Sequence, residues 1–269
     1  MVPAEPSPTN PETGESVVPP GRWSSYRTMS EHVRPAAERV VEALGPPGGT
    51  LLDLGSGDGN GLGAADRAGW LPIGVDLSTP QLQSARTRVA VATLVRADVG
   101  RSPFRDRAAS AAMSNFGVIF AADVATSLAE IARCVVPGGP FAMTAWTPDG
   151  WPEPCRAILT RHGGGQAPAF PVTLGEPTAL AAALDRAGLD VRTVSSASLR
   201  WRAADAATLV EVLTNAAGGL RALRGRCETE GSWPAARAEL VAEIETRCQS
   251  VGEQVVLDDE YLLATSTRR

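Results

Sequence analysis

At 269 residues with 43% hydrophobic side chains, the chain can bury a substantial core, as one large domain or one domain with an appended lid. Its 30 acidic residues against 25 basic ones leave a net charge of −5, so nothing draws it toward a nucleic-acid backbone and neither DNA nor RNA is expected as a partner. Every basic residue is an arginine; with no lysine in the chain, Schiff-base chemistry and a P-loop lysine are both excluded.

The first twenty residues hold six of the 21 prolines and lack the basic start and apolar run of a signal peptide, so residues 1–21 are expected to form a disordered leader. No apolar stretch approaches the roughly 20 residues that cross a bilayer. The four cysteines (Cys134, Cys155, Cys227, Cys248) form no CxxC pair, and the two histidines are His32 and His162. That pattern suggests no metal site and no disulfide framework, and fits bystander thiols in a reducing cytosol. The expectation is a cytoplasmic protein with no membrane partner, acting as a monomer or homodimer.

Val33, Ala36, Ala37, Val40, Val41 and Leu44 recur at helical spacing, and Gly45-Pro46-Pro47-Gly48-Gly49 ends that helix. Strand-length apolar runs then follow at 50–54, 71–77, 92–97, 111–119 and 140–146, alternating with segments long enough for helices. Such alternation predicts a parallel sheet with helical crossovers, whose ligands sit at the carboxyl ends of the strands. Past Trp146 the regularity fails: 147–154 and the glycines at 163–165 read as loop. Helices are expected at 176–187, 205–217 and 234–250, and strands at 191–201 and 254–265. Two late strands enclosing helices predict a sheet completed late, with a helical insertion over the site.

The first strand ends in Asp53 and runs into Gly55, Ser56, Gly57, Asp58, Gly59, Asn60 and Gly61. Glycines there let backbone approach a ligand at positive φ. Nicotinamide and flavin enzymes use a similar turn, but counting GxGxxG from Gly55 puts Asn60 where close helix packing wants Gly or Ala. Starting instead at Gly59, with Gly61 and Ala64, restores the match some five residues too late. Asp53, just ahead of the glycines, would repel a pyrophosphate and attract an ammonium. Asp76 ends the second strand 21 residues after Gly55, the distance at which an acid accepts ribose hydroxyls in either kind of enzyme. Asp98 ends the third strand, where a carboxylate can accept from the exocyclic amine of adenine while Val99 packs on the ring.

With LDLGSGDGN at 52–60, GVDLS at 74–78, RAD at 96–98, SNFGVIFAAD at 114–123 and VPGG at 136–139, the chain resembles the class I S-adenosylmethionine (SAM)-dependent methyltransferases. Within them it is similar to the ubiquinone/menaquinone-biosynthesis-like (type 11) group of actinobacterial type. Tyr26 with EHVRPAAERVVEA at 31–43, and AWTPDG at 145–150, extend the likeness. The resemblance implies an α/β, Rossmann-like, seven-stranded and mostly parallel sheet whose last strand is antiparallel. A single domain over 22–269 would carry a lid drawn from roughly 22–45, 147–187 and 203–250. It also implies SAM as cofactor and S-adenosylhomocysteine as its product. Asp53, Gly55, Ser56 and Gly57 would hold the methionine part, Asp76 and Leu77 the ribose, and Asp98 and Val99 the adenine. Asn115 and Phe116 would face the sulfonium, and Tyr26 would close over the cofactor.

Methyl transfer from a sulfonium is an in-line displacement that asks for alignment and exclusion of water, and for a base only where the acceptor must lose a proton. His162 and His32 are the candidate bases, with Tyr26 a further one. Trp146, Trp151, Phe170, Trp201 and Trp233 stand in or near the expected lid, either as its own core or as walls for a flat acceptor. The expected reaction is methylation of an O, N or C atom of a small-molecule metabolite, plausibly in natural-product metabolism. A SAM-binding protein that catalyses a rearrangement or cyclisation without methylation is the alternative, followed by a nicotinamide oxidoreductase.

Overall fold

The computed structural model describes residues 26–164 and 173–269; the expected leader, Gly165 and Phe170 lie outside them. The first helix, α1 (Tyr26–Ala43), presents Val33, Ala36, Val40 and Val41 inward, as its spacing requires. The Rossmann-like half follows as β1 (Thr50–Leu54), α2 (Asn60–Arg67), β2 (Leu71–Asp76), α3 (Thr79–Arg88), β3 (Thr93–Arg96), β4 (Ala111–Ser114), α4 (Val124–Cys134) and β5 (Pro140–Trp146). After it come α5 (Pro152–Gly163), α6 (Pro177–Arg186), β6 (Leu189–Ala203), α7 (Ala206–Ala216), α8 (Gly218–Thr229), α9 (Trp233–Arg247), β7 (Gln249–Val251) and β8 (Gln254–Arg268).

The sheet runs β3-β2-β1-β4-β5-β8-β6, with β7 paired to β8 off that path. Strands β1 to β5 are mutually parallel, and β8 is antiparallel to both β5 and β6, so the described sheet has eight strands where seven were expected. The extra one is the three-residue β7. Alternation along buried strands divides the core. Leu51, Met113 and Ala142 pack with Val40 and Val41 of α1 and Ala65 of α2, while Leu52, Ala112 and Phe141 pack with Leu128 of α4 and Leu180 and Leu184 of α6. Residues 177–186, expected in the lid, therefore line the sheet.

A second core lies among the later helices. Cys155, Leu159, Leu209, Leu213, Leu223, Leu240 and Ile244, from α5, α7, α8 and α9, close on Trp201 of β6 and Leu257 of β8. Neither α5 nor α8 was legible as a helix. α5 opens on Pro152 and Pro154 and ends in glycine, and α8 begins with Gly218-Gly219 and holds Gly225. Their propensity is poor, and burial of Leu159, Leu220 and Leu223 supplies what it lacks.

The fourth strand stops at Ser114 instead of running to Ile119. Ser114 Oγ donates to the Leu54 carbonyl at 2.7 Å and accepts the Val118 N–H at 2.8 Å, turning the chain into a 3-10 turn over Val118–Phe120. Strands β6 and β8 are longer than the sheet: Tyr261 pairs with Trp146, the last residue of β5, and residues 255–260 continue beyond it, still paired with β6. This arm extends past the carboxyl end of β5 and carries Trp201 and Leu257 into the second core, with Asp259 bonded to Trp201.

Candidate cofactor and acceptor site

The glycine turn is built by backbone. The N–H groups of Gly55 and Ser56 both donate to the Val75 carbonyl, at 2.8 and 3.0 Å, locking the turn to β2. Gly55, Gly57 and Gly59 hold φ of 76°, 53° and 94°, which glycine adopts without a Cβ penalty. A Cβ on Gly55 would stand 2.6 Å from Gly117 Cα, so the turn and the loop after β4 touch backbone to backbone.

Asp53 lies beneath this turn, 2% exposed, at the start of α2, where its carboxylate accepts the Leu62 N–H. Burial, reinforced by the nearby Asp76 charge, pushes its carboxyl up to about 7. Asp76 accepts from Gly57 N–H at 2.9 Å and Ser78 N–H at 2.8 Å, bonds that oppose the upward push of its own burial. Leu77 beside it is half exposed. Asp98 caps the next turn, accepting Gly100 N–H at 2.8 Å through Oδ1, and Val99 packs against the sheet core. Ser56 Oγ is buried with no hydrogen-bond partner among the described residues. Three acids thus stand at or just past three successive strand ends, and the unpartnered hydroxyl of Ser56 lies against Gly74 of β2.

Asn115 and Phe116 leave the end of β4. The Asn115 amide accepts from Thr144 Oγ1 at 3.1 Å and donates to the Val33 carbonyl at 3.3 Å, tying β4 and β5 to α1. Phe116 is in the left-handed region at φ 53°, held by its N–H to Thr144 Oγ1 at 2.8 Å, and its ring stacks on Trp146 at 3.8 Å with Tyr261 edge-on at 5.5 Å. Tyr26 opens α1, but its side chain lies outside what the structure describes.

The two histidines part company. His162 is in the last turn of α5 rather than a loop, with Nε2 2.8 Å from Glu239 of α9, which also pairs with Arg161. No described contact links His162 to the glycine turn. His32 is almost wholly buried; its Nε2 stands 3.1 Å from Asp259 Oδ2, and its ring stacks on Trp201 at 3.6 Å.

A buried polar latch was not foreseen. Ser30 Oγ lies 2.6 and 2.7 Å from the two Asp58 oxygens, Asn60 Nδ2 donates to Ser30 Oγ at 2.7 Å, and Arg88 reaches Asp58 and Asn60, each at 2.9 Å. Asp58 and Asn60 sit inside the glycine motif, where their sequence position reads as part of the turn. Their use as anchors for α1 has no local signal.

Residues 52–143 match the family model described as "Methyltransferase domain". The glycine turn, Asp53, Asp76, Asp98, Asn115 and Phe116 all fall inside that match. The domain is similar to the demethylmenaquinone methyltransferase of Corynebacterium kroppenstedtii, 38% identical over 93 residues that cover 35% of this chain and 40% of that protein. The chain spans about half or less of the length of the curated relatives it matches. Among solved structures it shares its fold with a geranyl diphosphate methyltransferase in complex with SAM (TM-score 0.54, 20% identity, covering 91% of this chain and 90% of that one). It likewise shares it with the [4+2]-cyclase SpnF (TM-score 0.56, 19% identity, 87% and 80%). None of the described helices is long and apolar enough to cross a membrane.

Proposed function

We propose that the protein transfers a methyl group from SAM to an O, N or C atom of a small-molecule metabolite, in natural-product metabolism, releasing S-adenosylhomocysteine. The observation that carries this reading is the set of acids Asp53, Asp76 and Asp98 at three successive strand ends around a glycine turn within a methyltransferase domain. The turn suits a cationic ligand. Buried Asp53 is held close to neutrality in its charge balance, and an ammonium nearby would favour its ionised form.

In this reading Gly55, Ser56 and Gly57 hold the methionine part, Ser56 Oγ supplying a buried hydroxyl that lacks a partner. Asp76 and Leu77 take the ribose, Asp98 through Oδ2 and Val99 take the adenine, and Tyr26 closes from α1. Asn115 and Phe116 shape the wall between cofactor and acceptor. The bound sulfonium supplies an electrophilic methyl; the chain's own residues align the acceptor and exclude water. Partners in this reading are small molecules, with no nucleic acid and no membrane, and the setting is cytoplasmic.

Calorimetric titration with SAM and with NADPH tests the cofactor. Binding of SAM is expected, and binding of NADPH alone would overturn the reading. The fold shared with a cyclase keeps a non-methylating reaction as a second reading. Incubation with methyl-labelled SAM separates the two, because only methylation moves the label into product.

A further inference from the structure

On β8, Tyr261 and Asp259 are two residues apart and so share a face of the strand. Tyr261 pairs with Trp146 and meets the ring of Phe116, which puts it against the wall at the end of β4; Asp259 is the next step outward, past the carboxyl end of β5. Independently, His32 precedes Val33, whose carbonyl is bonded to Asn115 at the same strand end. Two separate connections therefore set the His32–Asp259 pair beside the place where methyl and acceptor would meet.

The pair is built for a defined task. Asp259 is 2% exposed, and its Oδ2 accepts from Trp201 Nε1 at 3.1 Å as well as facing His32 Nε2 at 3.1 Å, while its Oδ1 has no partner among the described residues. With Nε2–H assigned to Asp259, the neutral imidazole carries its lone pair on Nδ1. Trp201 stacks on the ring, and Trp151 meets Trp201 edge-on at 6.0 Å, extending a buried aromatic cluster with Phe116, Trp146 and Tyr261 in which only the edges of Phe116, Trp146 and Trp201 reach solvent. The other charged groups nearby are engaged or exposed. Arg39 of α1 reaches the Tyr261 hydroxyl, Glu31 and Arg34 of α1 are exposed, and Arg200 of β6 pairs with Asp258 while Arg202 is exposed. On α7, Glu211 is shared by Arg224 and Arg237, and Asp205 caps the helix through Thr208.

The geometry points to His32 as the general base of an O-methylation whose acceptor is the hydroxyl of a planar phenol, with Asp259 as its positioning residue. This rests on the reading of the chain as a SAM-dependent methyltransferase. The accessible edges of Phe116, Trp146 and Trp201 take the flat ring. The phenol O–H bond breaks with its proton going to His32 Nδ1, and the oxygen forms a bond to the methyl carbon. The C–S bond breaks with its electron pair returning to sulfur, leaving neutral S-adenosylhomocysteine, an aryl methyl ether and an imidazolium paired with the Asp259 carboxylate.

The test uses the full chain, its His32→Gln and Asp259→Asn variants, and two probes, 1-naphthol and the more acidic, coloured 4-nitro-1-naphthol. Calorimetry with SAM is run first on all three proteins; failure of the wild type to bind SAM defeats the cofactor reading itself. Without SAM, at a pH where the free nitronaphthol is mostly neutral, the wild type is expected to raise the phenolate absorption band and His32→Gln to abolish that rise. Asp259→Asn is expected to diminish it. With methyl-labelled SAM, His32→Gln is expected to slow methylation of 1-naphthol about a hundredfold or more, and that of the nitronaphthol, assayed where it is already ionised, by less than about threefold. Retained SAM binding with no phenolate band would overturn the proposal. So would label found only on carbon or nitrogen acceptors, no label on either phenol, or equal loss on both.

Discussion

Among single residues, Asp53 has the largest consequence for pH. Its carboxyl keeps a proton to about 7 in the folded protein against an ordinary value of 3.8, because burial and the Asp76 charge disfavour ionisation. The stability this group contributes is therefore fully present below about pH 4 and is lost as pH rises through about 7. Ligand binding runs the other way, since an ammonium pairs with the ionised form. SAM affinity is expected to rise about tenfold from pH 6 to pH 8, with proton release to buffer at the lower pH, as read by calorimetry in buffers of different ionisation enthalpy. Asp53→Asn should flatten that dependence; an unchanged slope would show that Asp53 does not sense the ligand. Gly117 makes a different demand, because an added Cβ would stand 2.9 Å from Gly55 Cα and from Ser114 Oγ. Gly117→Ala is expected to cost about 1–3 kcal/mol in urea unfolding and to weaken SAM binding in parallel, since the displaced neighbour is the glycine turn.

At the level of elements, α1 is joined to the parallel half of the sheet by its apolar face and to the glycine turn by the latch of Ser30, Asp58, Asn60 and Arg88. Removing the Ser30 hydroxyl leaves the 5%-exposed Asp58 carboxylate with Arg88 but without its closest donor. Ser30→Ala is expected to cost about 1–3 kcal/mol, and hydrogen exchange should accelerate over the first turns of α1 while β1 keeps its protection. Equal acceleration in both would mean that the latch supports the whole fold rather than the helix alone. The same scale explains which elements were legible. α1, β1, β2 and β5 announce themselves by spacing and end where proline, glycine or a capping residue ends them. α5 and α8 do not, because their prolines and glycines argue against helix and only contact with α9 and α7 overrules them.

Over the whole molecule, two cores divide the labour: the sheet and its flanking helices hold the cofactor turn, and the α5, α7, α8 and α9 cluster stands over the arm of β6 and β8. Leu128 and Leu209 are both fully buried, one in each core. Truncation of either to alanine is expected to cost about 2–5 kcal/mol. Leu209→Ala should nevertheless change SAM affinity by less than about twofold while lowering turnover of the acceptor. Loss of SAM binding in that variant, measured by calorimetry, would show that the lid shapes the cofactor site as well.

What the sequence by itself determined was the part written in short-range pattern. Asp53, Asp76 and Asp98 end strands whose alternation is local, and the glycines after Asp53 record a backbone requirement that few other residues meet, so turn, sheet and cofactor class were all readable along the chain. Only the tertiary structure brought the distant polar partners together. His32 and Asp259 are 227 residues apart, and Asp58 and Ser30 are separated by 28; no local period relates such partners, and each becomes meaningful only when burial removes water and leaves the other as its hydrogen-bond partner. His162 and His32 were both candidate bases in the sequence, His162 beside glycines that read as loop. Folding gave it to Glu239, and set His32 against Asp259 and the aromatic wall.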